Sequence, residues 1–238
     1  MNARRVAQTA RVLLSALAVS TCLLAADITG EIVIKRKLTK RTVTSSASAY
    51  YRGPAVLSGP VSTEDPLAFE RQHVVIYIEG AGPAEPVSAV LTQQNRRFEP
   101  DLVVLPAGST VSFPNRDLVF HNVFSLSKSK SFDLGNYAKD QTRTVTFNHP
   151  GVVFVNCHLH PNMSAAIVVT PNSWFTRADD KGQFRFSHLP PGRYTVTAWH
   201  KTGGAHKKNV EVKDGADASV SFLIPFSEDG SLLAAAGR

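Results

Sequence analysis

Residues 152–169 read VVFVNCHLHPNMSAAIVV: two runs of β-branched and small apolar residues flank a short loop that carries Cys157, His160 and Met163. Runs of this length and composition favour strands, so the loop joins two strands and presents its three side chains at three-residue steps. A thiolate, a neutral imidazole and a thioether together suit copper once a second imidazole joins them. Residues 113–125, FPNRDLVFHNVFS, bring an extended run to His121 and supply that candidate. One ligand on a strand, facing a loop with three, is how a β-sandwich closes a metal site at one end. The expected donor set is His121, Cys157, His160 and Met163 around one mononuclear copper ion, with Met163 as the long axial ligand.

This pair of segments resembles the cupredoxin family, the small blue copper proteins. The C-x-x-H-x-x-M spacing from Cys157 to Met163 is the short ligand loop of amicyanin-like members, and Phe-His-Asn-Val around His121 resembles the first-ligand segment of plastocyanin-like ones. Phe98-x-Pro100, Gly108 and Phe113-x-Asn115 are similar to the opening half of bacterial members. The resemblance implies a Greek-key β-sandwich and a one-electron carrier. It also gives a role to Asn122, whose side chain in that family ties the two ligand loops together and hydrogen-bonds near the cysteine sulfur, a kind of bond that tunes a metal. His158, between Cys157 and His160, is expected to turn away from the metal into solvent.

The chain has 238 residues, room for two small domains, and its scattered Pro and Gly with few helical periodicities favour an all-β architecture. Residues 1–26 read as a signal peptide: Arg4, Arg5 and Arg11 precede an apolar stretch too short to span a bilayer comfortably. Export to the periplasm or beyond would remove Cys22, unless that residue is lipidated, and leave Cys157 alone in an oxidising compartment. A single thiolate excludes a binuclear copper centre bridged by two cysteines. A methionine donor argues against structural zinc. The net charge of +7 includes three leader arginines and no leader acid, so the exported chain stays basic and its partner is expected to be acidic.

From residue 28, ITGEIVIKRKL alternates as a strand and runs into a basic patch of Lys35, Arg36, Lys37, Lys40 and Arg41. The patch reads as a solvated edge or as a docking site for an acidic protein or anionic lipid, which would confine any membrane contact to the surface. No aromatic residues interleave with these charges as nucleic-acid binding would require. Residues 44–66 read as a long loop and residues 73–80 as a strand. The copper-binding domain is expected over residues 87–170, with a turn at Phe132-Asp133-Leu134-Gly135.

Beyond it, the run D-x-x-G-x-F-x-F from Asp179 and L-P-P-G-x-Y-x-V from Leu189 resembles the transthyretin-like or carboxypeptidase-regulatory-like β-sandwich, a fold not catalytic in itself. Residues 171–226 alone hold too few strands to cover a core, so residues 27–86 are expected to complete this second sandwich, leaving residues 227–238 as a tail. His200 and His206, at a strand end and in a Gly-rich loop, read as solvent-facing. No base and nucleophile constellation is visible, so the chain is not expected to be an enzyme. The reading is an exported blue copper protein that carries single electrons to or from a redox partner. Copper sequestration or delivery, and an envelope interaction module with a structural copper site, are the two alternatives.

Overall fold

The computed structural model describes residues 25–39 and 65–225, so residues 1–24 of the expected signal peptide, with Cys22, residues Lys40 and Arg41 of the basic patch, most of the predicted long loop and the tail lie outside it. Among the described residues the regular structure is strand except for one short helix. The chain runs through β1 (Ala26–Ile34), a short helix α1 (Ala68–Gln72) and β2 (Val74–Ile78) before the predicted copper domain. There follow β3 (Ser88–Val90), β4 (Thr92–Gln94), β5 (Arg97–Glu99), β6 (Leu102–Pro106), β7 (Ser109–Pro114) and β8 (His121–Ser127). Next come β9 (Lys130–Tyr137), β10 (Thr142–Phe147), β11 (Gly151–Asn156) and β12 (Ser164–Thr170). The chain closes with β13 (Phe175–Arg177), β14 (Gln183–Leu189), β15 (Gly192–His200), β16 (Gly204–Val212) and β17 (Ala218–Ile224).

Two sandwiches result. In the first, a five-stranded sheet ordered β6-β12-β11-β8-β9 faces a three-stranded sheet ordered β10-β7-β3. Between them lies a core that includes Leu105, Phe113, Val123, Tyr137, Phe147 and Ile167. The strand period of two decides what this core receives. Val153, Val155 and Cys157 share one phase and are buried, while Phe154 points outward and is exposed. On β8, His121, Val123 and Ser125 share a buried phase, and Asn122 between the first two is buried as well. The same alternation that builds the core therefore carries His121 and Cys157 inward at one end of it.

The second sandwich takes strands from both ends of the chain. β1 is the middle strand of the sheet β14-β1-β17, antiparallel to β14 and parallel to β17. β2 lies between β13 and β15 in the sheet β13-β2-β15-β16. Ile28, Ile32, Ile76, Phe184, Val196 and Phe222 meet in its core. The two sandwiches then pack on each other: Val75 of β2 and Trp199 of β15 lie on Leu102, Ala166 and Val168 on the outer face of the five-stranded sheet. Arg177 donates to the Leu102 carbonyl (2.7 Å) at the rim of this contact.

Two local expectations change. Phe132 to Gly135 is no turn but the middle of β9, where the register against β8 shifts between Asn122 and Phe124. His200 is not solvent-facing but buried: its Nδ1 accepts from the N–H groups of Thr202 (3.2 Å) and Gly203 (3.0 Å), which places the proton on Nε2 facing Glu70 Oε2 at 3.2 Å. Glu70, also buried, accepts in addition from the Thr39 N–H (2.9 Å) and hydroxyl (2.9 Å), so the short helix ties the end of the first strand segment to β15. A lone histidine at a strand end reveals nothing of a glutamate 130 positions away that folds beneath it. His206 is half-buried, with Nε2 2.9 Å from the Gly203 carbonyl.

Candidate metal centre

His121, Cys157 and His160 converge at one end of the first sandwich, with one ligand atom of each inside 4.8 Å of the others. His121 Nδ1 lies 3.1 Å from His160 Nδ1 and 4.0 Å from Cys157 Sγ, and Cys157 Sγ lies 3.8 Å from His160 Nδ1. A metal ion with bonds of about 2.0–2.3 Å to nitrogen and sulfur needs donor edges of roughly 3.3–3.9 Å; the edges of 3.1, 3.8 and 4.0 Å bracket that range closely, so the three donors could close on one ion with only a small adjustment of the rings. Met163 is buried in the same core cluster as Cys157. Backbone bonds shape the ligand loop: Cys157 N–H donates to the Met163 carbonyl (3.2 Å) and Met163 N–H to the His160 carbonyl (2.9 Å).

A metal ligand must offer a lone pair, and the surroundings of His121 supply one. Its Nε2 lies 2.7 Å from Asp117 Oδ2; a carboxylate only accepts, so the proton sits on Nε2 and Nδ1 is left free toward Cys157 and His160. Asp117 is fixed in turn by the N–H groups of Asn95 (2.7 Å) and Arg96 (2.8 Å), two turn residues with positive φ that join β4 to β5. Burial acts to raise the Asp117 carboxyl, but the Arg96 N–H, the His121 ring and the Asn95 N–H outweigh it and hold the group below the usual carboxylate range. The His160 imidazole is lowered, first by burial and then by repulsion from His121 and Arg96. Sequence reasoning did not put Asp117 forward. A carboxylate four residues before a histidine in a loop has no fixed geometry, and its role emerges only from the hairpin that cradles it.

Asn122 sits between the two ligand segments, but its backbone and not its amide approaches the sulfur: its N–H lies 3.5 Å from Cys157 Sγ. Its side-chain Oδ1 accepts from the His158 N–H at 3.4 Å. The His158 ring is turned away from the three donors and stacks on Phe124, with centroids 3.6 Å apart and planes 6° from parallel.

Residues 160–224 match the carboxypeptidase regulatory-like domain family. That match begins inside the ligand loop, although β12 hydrogen-bonds to β11 and β6 of the first sandwich. No curated protein matches the sequence. Among solved structures, a copper-containing nitrite reductase from Thermus scotoductus SA-01 is 24% identical with a TM-score of 0.34, over 38% of this chain and 24% of the reductase's own length. A purple cupredoxin from Nitrosopumilus maritimus is 22% identical with a TM-score of 0.32, over 34% of this chain and 99% of that one. A mutant of amicyanin in its Cu(I) form is 20% identical with a TM-score of 0.33, over 40% of this chain and 97% of that one. The structural neighbours are cupredoxins, each similar to part of the chain.

Proposed function

We propose that this protein is an exported mononuclear blue copper protein that passes single electrons to or from a partner protein. The observation that carries the reading is the donor triangle: two imidazole Nδ1 atoms and one thiolate converge where an ion fits, with one tautomer locked by a carboxylate. His121, Cys157 and His160 would hold copper, with Met163 as the weaker fourth ligand. Bound there, copper supplies a one-electron couple, with the thiolate providing strong electronic coupling to the protein. His121, Cys157 and Met163 are buried, and four protein ligands would fill the positions around the ion, which supports a carrier over an enzyme.

The surroundings suit a transient partner. His160 is the half-buried donor, and exposed apolar residues adjoin the ligands in sequence: Leu118 (89% exposed) and Phe120 (58%) before His121, and Leu159 (46%) before His160. Small apolar contacts of this kind form and release quickly. The basic charge of the chain favours an acidic redox protein over a nucleic acid. Any membrane contact would be at the surface, through the basic patch; among the described residues no helix is long and apolar enough to cross a bilayer. The accessibility of His160 also favours a second reading, copper delivery, in which the ion is handed on.

Addition of one equivalent of Cu(II) should produce intense visible absorption from thiolate-to-copper charge transfer, and Cys157→Ser should abolish it. A nearly colourless complex of the wild-type chain would sink the reading. Retention of copper through repeated reduction and oxidation, in the presence of a competing chelator, separates a carrier from a delivery protein. Sequencing of the mature N-terminus after expression of the full chain tests export.

A further inference from the structure

Asp133 stands behind the ligand strands, on the face of the five-stranded sheet opposite the metal donors. It pairs with Phe124 at the place where the β8–β9 register shifts, and Gly135, two residues on, takes a left-handed φ of 64°. A bulge of this kind re-aims a side chain, and next to a functional site it is a common device. Here it turns the Asp133 carboxylate back across β8. Its Oδ1 accepts from Asn122 Nδ2 at 2.7 Å and from the Gly135 N–H at 2.8 Å, and its Oδ2 lies 3.7 Å from His158 Nε2. Asn122 directly follows His121, and His158 directly follows Cys157. One carboxylate thus reaches both residues that adjoin the donors.

An asparagine amide alone can turn over at little cost, since its oxygen and nitrogen are nearly the same size. Between an acceptor-only carboxylate and a backbone donor it cannot: the NH2 group faces Asp133 and the oxygen faces the His158 N–H. That orientation closes a bridge from the His121 strand to the Cys157 loop, parallel to the bond between the Asn122 N–H and the sulfur. The carboxyl group is held below its ordinary range, first by the Gly135 N–H and then by the Asn122 amide, so the anion is present at neutral pH.

We infer that Asp133 is a positioning residue for the metal centre: it fixes the Asn122 amide and, through it, the spacing between His121 and Cys157. The inference rests on the copper reading of the site but not on the electron-carrier role. Partners that hydrogen-bond a ligand directly change metal affinity by about 10–100-fold when they are lost, and Asp133 acts one hydrogen bond further out, through Asn122.

The test compares Asp133→Ala, Asp133→Asn, Asn122→Ala and the double alanine variant in the full chain. In Asp133→Ala, Cu(II) affinity should fall by up to about 10-fold, the low end of the range for groups bonded directly to a ligand, and the thiolate charge-transfer band should shift. The metal-free protein should keep its unfolding midpoint, while the Asn122 side-chain amide protons lose their protection from exchange. Asp133→Asn retains an acceptor oxygen and should restore most of the band position. The double variant should be no worse than Asn122→Ala alone, because Asp133 acts through that amide. An unchanged band and affinity in Asp133→Ala, additive losses in the double variant, or an affinity loss matched by a collapse of metal-free stability would each overturn the inference. A wild-type chain without the charge-transfer band refutes the copper reading instead, and the exchange of the Asn122 amide in metal-free protein still decides whether Asp133 orders it.

Discussion

His121 shows how one side chain of the candidate metal centre is held in a single orientation and tautomer. Its β-strand phase buries it, Asp117 selects its tautomer, and the β4–β5 turn holds Asp117. A carboxylate on the far nitrogen makes the near nitrogen a stronger donor, which favours the more highly charged state of the metal. Asp117→Ala should therefore weaken Cu(II) binding by about 10–100-fold and raise the reduction potential. Competition titration and voltammetry check this; a potential that stays constant or falls would show that the carboxylate does not act through the imidazole. Asp117 and Asp133 approach the centre from different sides, one on the far nitrogen of a ligand and the other on the amide beside it.

The strand β1 is constrained on both sides, since it lies between β14 and β17 in the second sandwich. Gly30 pairs with Phe184 on one side and Val220 on the other. A Cβ built there would overlap the Phe184 ring and the Val220 carbonyl oxygen. The ring can move, but the carbonyl belongs to the sheet ladder. Gly30→Ala should cost about 1–3 kcal/mol, read as a lower urea midpoint at unchanged slope. An unchanged midpoint would mean that β1 has room to shift. The strand itself was legible in ITGEIVI because β-branched residues alternate there. Its neighbours were not, because nothing local in that stretch specifies a partner more than 150 positions away.

The packing of one sandwich on the other is apolar at its centre and charged at its rim. At that rim, His73 has both ring nitrogens on acceptors: Nδ1 is 2.7 Å from the Phe69 carbonyl and Nε2 is 3.4 Å from Asp101 Oδ1. Only the doubly protonated ring satisfies both. Asp101 chiefly holds the His73 pKa above its ordinary value, with burial opposing, the Phe69 carbonyl helping and Arg177 opposing weakly. A raised histidine pKa stabilises the folded chain fully below the unfolded value of about 6.5, and this contribution is lost as pH rises through the folded value. The Asp101 carboxyl, lowered mainly by His73, contributes above its unfolded value and loses that contribution in stronger acid. His200 works the other way: burial lowers its pKa against the pull of Glu70, so acidification below about 6.5 costs stability there. Asp101→Asn should bring the His73 pKa down toward the ordinary value, measured by NMR titration of the ring; an unaltered titration would mean that the clasp is not formed in solution.

What the sequence determined by itself is the all-β character and the identity of the side chains brought forward for the metal. Strand alternation is local, and three of the four proposed donors lie within seven consecutive positions, so chemistry and spacing can be read from one short stretch. His121 could be proposed because its neighbours carry a family pattern. The tertiary structure alone decided which carboxylates serve the site, which face of Asn122 meets the sulfur, that Asp133 lies in a bulged strand and not a turn, and that His200 is buried. Each of these depends on segments distant in sequence brought within hydrogen-bonding distance, and hydrogen-bond geometry at 3 Å is set by sheet register and a single bulge, which no local pattern of residue types encodes.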